Sequence, residues 1–249
     1  MPDSETPPSQ PEPEIPAENV YGLNAQPSFA DMIQLLDLPS ELVPQVGKHR
    51  SPGRLVIVGD VHGMKKSLED LLSKIKFNAK EDHLILAGDM IAKGPDSPGV
   101  VDLAMKLGAS AVRGNHEDRV LLVHADMEAN HIDVSGPDPN EDTEKSQDGL
   151  EEESFSRGDY KDRRLVKALG EKRLKWLKTR PVILRVGELG EMGELVVVHA
   201  GLVPGVKLER QDPAMVMHMR TIGHDGVPSE SRDGSGWWKA SAFLLQEAS

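Results

Sequence analysis

Residues 54–63 read RLVIVGDVHG, a short β-branched run, Arg54–Val58, that stops at Gly59-Asp60-Val61-His62-Gly63. Val and Ile favour a buried, pleated strand, and glycine lets the chain turn sharply where that strand ends. A helix should follow, because Leu68, Leu71, Leu72 and Ile75 fall at i, i+3, i+4 and i+7. The pattern then repeats. His83–Ala87 is apolar and ends in Gly88-Asp89, and Val100–Leu107 suits a helix beyond Pro95 and Pro98. Ser110–Val112 ends in Arg113-Gly114-Asn115-His116-Glu117, with a helix expected from Asp118 to about Met127. Much later, Glu194–Val198 ends in His199-Ala200-Gly201, and Val182–Val186 reads as its hairpin partner.

Strands alternating with helices imply an α/β fold, a βαβαβ unit of parallel strands covered by helices. Such sheets place their chemistry at the carboxyl ends of the strands. Each of the four strands ends in polar residues flanked by glycine, so Asp60, His62, Asp89, Asn115, His116 and His199 are expected to converge. Taken singly, each has an ordinary reading: a Gly-Asp is a turn with an Asx cap, and a lone His is a hydrogen-bonded structural residue. Four in order, each closing an apolar strand, are a different matter.

The converging groups are oxygen and imidazole donors, which suit divalent ions such as Zn, Mn or Fe. Carboxylates that close together repel one another unless cations lie between them. The chemistry this supports is two-metal hydrolysis, in which ions roughly 3.5–4 Å apart polarise a phosphoryl group and generate hydroxide near neutral pH.

Composition narrows the alternatives. The 249 residues suffice for one large domain or two small ones, and 38% hydrophobic residues allow a packed core. With no cysteine, a disulfide framework, a thiolate nucleophile, a zinc finger and an iron–sulfur cluster are all excluded. No run of about 18 apolar residues exists to span a membrane, and the N-terminus lacks a signal-peptide pattern. A soluble, cytoplasmic protein is expected.

The net charge of −12 is unevenly placed. Residues 1–20 are rich in proline and carry five acids with no Lys or Arg, which reads as a disordered leader. Residues 126–160 hold twelve acids against Lys145 and Arg157 and read as an acidic disordered insertion. What remains carries a net +3, so the acidic total does not argue against a polyanionic partner. Residues 161–180 hold nine Lys or Arg. They could focus a polyanion toward the site, although the polar face of an amphipathic helix with Leu165, Leu169, Leu174 and Leu177 inward is the stronger reading. Nucleic acid is not expected as a partner, because the stretch lacks stacking aromatics.

GDVHG, GDMIAKGP, RGNHE and HAGL, in that order, resemble the calcineurin-like metallophosphoesterases, from about Arg54 to Trp237 excluding the acidic insertion. The resemblance implies a metallophosphoesterase-type pair of packed sheets flanked by helices, over a domain of residues 50–249. It implies Asp60 and His62 on a first metal, Asp89 bridging, Asn115 and His199 on a second, and His116 contacting the scissile phosphate or protonating the leaving group.

Protein phosphatases carry Asp-Arg where this chain has Ala92-Lys93, and the surrounding residues look like the ApaH-like branch, with fungal zinc-dependent endopolyphosphatases nearest. The missing Asp supports the catalytic His in protonating an alkoxide. A phosphoanhydride expels a phosphate, whose second pKa is only about 6, so the loss costs less there. Polyphosphate or a dinucleoside polyphosphate is therefore favoured over phosphoserine, and the fungal resemblance implies polyphosphate, with diadenosine tetraphosphate hydrolysis or Ser/Thr protein phosphatase activity as alternatives. Lys93 and Arg220 are the candidate phosphate-binding charges, and Arg113 a brace for its strand end. The fungal relatives reach the vacuole by a membrane anchor, for which this chain shows no segment.

The superfamily adds a further metal-binding His in strands after the Trp237 region, yet the sequence stops at Ser249. The last strands are thus expected to be missing, and Gly223-His224-Asp225 reads as a loop. His124, His131 and His218 have no motif context and read as helix-surface or loop residues. A rival expectation follows, a truncated, weakly active or inactive fold that only binds metal or phosphate.

Overall fold

A computed structural model describes residues 32–43, 53–131, 153–223 and 226–233, with residues 153–160 as backbone only. In chain order the elements are β1 Leu35–Asp37, β2 Leu55–Val58, α1 Lys65–Lys74, β3 His83–Leu86, α2 Ser97–Leu107, β4 Ser110–Ala111, α3 Asn115–Ala129, α4 Glu153–Lys178, β5 Ile183–Glu188, β6 Glu194–Val197, α5 Pro213–His218, β7 Thr221–Ile222 and β8 Pro228–Ser229. The expected βαβαβ unit is present. β2, β3 and β4 pair in parallel in that order, with Val58 beside Leu86 and Leu86 beside Ala111. Their carboxyl ends therefore finish in line.

The second sheet has the order β1-β5-β6, β1 parallel to β5 and β5 antiparallel to β6. This hairpin is the one expected, with a register irregularity between Arg185 and Gly187.

β3 lies at the centre. Leu84 and Leu86 pack into an aliphatic cluster with Leu72 of α1, Val100 and Val101 of α2, Val120 of α3 and Leu169 of α4. Ile85, fully buried, joins Leu184, Val186 and Val197 of the other sheet. The result is a helix layer, a parallel sheet and a second sheet, with β3 buried on both faces. Truncating Ile85 to Ala would cost about 2–5 kcal/mol.

α4 matches the amphipathic reading, since Leu169, Leu174 and Leu177 are buried and Leu165 packs against the same cluster. It breaks at Gly170, whose φ of 64° and ψ of 164° are not helical. Several of its charges are engaged locally: Arg163 with Asp126, Arg173 with Asp102, and Asp162 with Arg119.

Two boundaries differ from expectation. α3 begins at Asn115, not Asp118, because Asp89 and Glu117 satisfy N–H groups at its start. α3 runs to Ala129 and α4 starts at Glu153, so helices occupy both ends of the stretch 126–160. The leader 1–20, residues 132–152, His224 and the segment from 234 onward, with the strands expected to be missing there, lie outside the described residues. Among the described residues no helix is long and apolar enough to cross a membrane.

Candidate metal and phosphate site

The loops after β2 and β3 are stitched together by their backbones. Val61 and His62 both donate to the Asp89 carbonyl, at 3.0 and 2.8 Å, and Gly63 donates to Met90 at 2.8 Å. Four non-glycine residues in these loops adopt left-handed φ: His62 at 46°, Asp89 at 50°, Ala92 at 68° and Lys93 at 62°. Such conformations are strained and persist where the surroundings over-determine them. Two glycines permit the close approach. A Cβ on Gly114 would meet the Asp89 amide and carboxylate at 2.5 Å, and one on Gly88 would meet His199 Nδ1 at 2.8 Å.

All six expected residues meet. Asp89, 3% exposed, faces a histidine with each oxygen: Oδ2 lies 3.5 Å from His62 Nε2, and Oδ1 lies 3.4 Å from His199 Nε2. His116 Nε2 is 3.9 Å from Asp89 Oδ2 and its ring stands edge-on to His62, with centroids 5.1 Å apart. Asp60 sits at the open side, Oδ2 at 3.7 Å from His62 Nε2 and Oδ1 at 4.0 Å from His199 Nδ1. Asn115 Oδ1 is 3.1 Å from His199 Nε2. Two donor groups result, His62-Asp89-His116 and Asp60-Asp89-His199, with Asp89 common to both.

The ring orientations test whether cations fit. His62 Nδ1 is 3.2 Å from the Ile91 carbonyl and His199 Nδ1 is 2.9 Å from the Ala87 carbonyl. A carbonyl only accepts, so each Nδ1 carries a proton, and with that proton alone each ring would turn an Nε2 lone pair into the cluster. This is the arrangement that metal-binding histidines use. His199 Nε2 faces oxygens of Asn115 and Asp89, a convergence that a proton or a cation between them would satisfy. The donor set fits divalent ions.

His116 is partly buried, and desolvation pushes its pKa below the usual imidazole range. The Asp89 charge opposes this shift, and Lys93, His62 and Arg119 reinforce it. Its amide donates to Asp89 Oδ1 at 3.2 Å, which holds the carboxylate against the positive end of α3.

Of the candidate phosphate-binding charges, Lys93 is at the site, with Nζ 2.9 Å from His62 Nε2. Arg220 is exposed, its amide is bonded to Ser229, and no hydrogen bond or ion pair among the described residues joins its guanidinium to the six. Arg113 is buried and braces the strand end as expected, donating to Asp118 and to the Lys178 carbonyl at 3.3 and 3.1 Å. His124 corrects the surface reading: it is buried between α3 and α4, beside Glu128 and Glu171. His131 is exposed and His218 ends α5 half-buried.

Sequence reasoning missed Glu117. It is fully buried, and its carboxylate accepts from the amides of Asp89, Met90, Ile91 and Gly114. The signal available was an acid three residues after a helix N-cap, the position that reaches back to the N-cap amide.

Residues 53–246 match the calcineurin-like phosphoesterase family, and the chain belongs to it. It is 31% identical over 150 residues to the symmetrical bis(5'-nucleosyl)-tetraphosphatase of Pectobacterium atrosepticum, covering 59% of this chain and 43% of that protein. A Shewanella protein of the same name is 31% identical over 166 residues, covering 65% of this chain and 50% of its own. The chain thus spans half or less of the length of these curated relatives. The solved structure of a provisionally assigned diadenosine tetraphosphatase superposes with a TM-score of 0.59 at 27% identity, covering 84% of this chain and 74% of that one. These relatives give no support to the expected closeness to fungal endopolyphosphatases, nor to polyphosphate as the substrate.

Proposed function

We propose that the chain is a two-metal phosphohydrolase that cleaves a phosphoanhydride bond of dinucleoside tetraphosphates. The observation that carries this reading is the position of Asp89, common to two donor groups, with His116 and Lys93 beside it. His62 would hold one ion together with Asp60, which at 3.7 Å from His62 and 4.0 Å from His199 also groups with the other side, while His199 and Asn115 would hold the second ion and Asp89 both. Bound there, divalent ions supply Lewis acidity toward a phosphoryl oxygen and an attacking water.

The protein's own groups do the rest. Lys93 offers a point charge to a phosphate oxygen at the rim of the site. His116, whose pKa burial pushes down, presents a ring N–H to the scissile phosphate and, in its protonated form, a proton to the leaving oxygen. Among the described residues the carboxylate paired with His116 is Asp89, at 3.9 Å. Position 92 contributes no acid, which suits a leaving group that departs as phosphate. The names of the bacterial relatives favour the dinucleoside tetraphosphate over polyphosphate as the particular anhydride.

A substrate panel with Zn, Mn and Co tests this. It contains diadenosine tetraphosphate, polyphosphate and a phosphoserine peptide, with metal content measured per chain. The proposal expects about two ions and turnover fastest on diadenosine tetraphosphate. Preference for the peptide sinks the anhydride reading, and preference for polyphosphate restores the other anhydride. Bound metal without turnover on any of the three supports a binding-only fold.

A further inference from the structure

Glu117 is an expensive residue to bury. It is 0% exposed, and its four bonds all come from peptide N–H groups. Burial and the nearby Asp89 charge push its pKa up, while the N–H bonds pull it down. An apolar side chain would fill the same volume without the desolvation cost. What only a carboxylate offers is two oxygens with about four acceptor sites and no donor. Glu117 uses both. Oε2 accepts from Asp89 at 2.8 Å and Gly114 at 2.9 Å, and Oε1 from Met90 at 2.8 Å and Ile91 at 3.1 Å.

These amides belong to two different loops. Three are consecutive in the turn after β3, where Asp89 has its left-handed φ of 50°. The fourth is Gly114, immediately before Asn115 and His116. We infer that Glu117 is a positioning residue whose carboxylate locks the Asp89 turn to the start of α3, fixing the ligand separations on which ion binding depends. This rests on the reading of the six side chains as a metal site. Glu117 touches no substrate in this assignment. It acts through the backbone that aims Asp89 toward His62 and His199.

Glu117→Gln separates this role from packing. Glutamine has nearly the same shape and keeps one acceptor oxygen, but its amide group sets a donor against two of the four N–H groups. The full chain and the variant are titrated with Mn(II), the free ion being followed by electron paramagnetic resonance, and circular dichroism reports the fold. The unaltered chain should bind the ion, and the folded variant should bind it roughly 10–100-fold more weakly, the usual effect of removing a group that orients ligands. Glu117→Asp keeps the charge on a shorter stem and should fall between the two.

Equal affinity in the folded Gln variant overturns the positioning role and leaves the metal reading standing. Failure of the unaltered chain to bind Mn(II) overturns both. If the Gln variant does not fold, hydrogen exchange of the unaltered protein decides. Joint protection of the Asp89, Met90, Ile91 and Gly114 amides supports the lock, and exchange as fast as in exposed loops overturns it.

Discussion

The ammonium of Lys93 lies 2.9 Å from Nε2 of His62, the nitrogen that also stands 3.5 Å from Asp89. A cation of the chain and an ion at this corner would share one lone pair. Lys93→Met should therefore act in two directions. It removes the proposed phosphate contact, which should raise KM for diadenosine tetraphosphate, the proposed substrate, about tenfold, or ~1.4 kcal/mol. It also frees the His62 lone pair, so Mn(II) should bind more tightly. Steady-state kinetics across a Mn(II) titration reads both effects, and an unchanged KM would remove Lys93 from the phosphate contacts.

Asp89→Asn should abolish activity more completely than any other single change. Asp89 is nine-tenths buried and belongs to both donor groups, whereas the Asp60 side chain is 57% exposed and belongs to one. Metal content per chain should drop further for Asp89→Asn than for Asp60→Asn. The reverse order would contradict the bridging role.

Ala92→Asp should narrow the preference for anhydrides over phosphomonoesters. Position 92 has φ 68°, and Asp tolerates the left-handed region better than Ala does, so the backbone should accept the change. A carboxylate there would raise the basicity of His116 and help it protonate an alkoxide. The expected gain on a phosphoserine peptide lies at the low end of the roughly 10²–10⁴ range of general acid catalysis. Rates on both substrates, with metal loading verified, measure the ratio. A ratio that does not move would refute the leaving-group explanation.

Asp82 should set part of the acid stability. It accepts from Nε and Nη2 of Arg54, at 3.2 and 2.7 Å, and from the amides of Arg54 and Asn78, at 2.8 and 2.9 Å. The Arg54 guanidinium, with those amides, holds its carboxyl far below the usual range. A depressed folded value means stability that is present above the unfolded value of roughly 3.9 and is lost as pH falls through the folded one. Asp82→Asn should thus melt lower than the unaltered protein at pH 7, and the gap should close in strong acid. Calorimetry at neutral and acid pH checks this, and a gap that widens in acid has the wrong sign.

The four strand ends were legible because each joins a short strand-forming run to glycine-flanked polar residues, and both signals lie within ten residues. Glu117 was not legible as a positioning group, since its meaning depends on amides some 26–28 positions earlier in the chain. His124 looked like a surface residue on its own helix, and only the packing of α4, which brings Glu171, buries it. β1 has three residues, too few for a period, and exists because β5 pairs with it from 148 positions away. Lys93 and Arg220 looked equivalent as charges, but only the left-handed turn at Ala92 and Lys93 carries one of them to His62.

β3 sits between the helices and the second sheet, and Asp89 hangs from its end. Moving that carboxylate would disturb the turn after β3, which Glu117 ties to the start of α3. Asp60, its side chain 57% exposed, stands on the side of the cluster from which an ion would enter. Any ion held by Asp89 would act as a ligand of the native state alone, stabilising it by about 2.7 kcal/mol at a concentration one hundred times its dissociation constant. Resistance to proteolysis should therefore rise with occupancy across the whole domain, including at helices far from the ion.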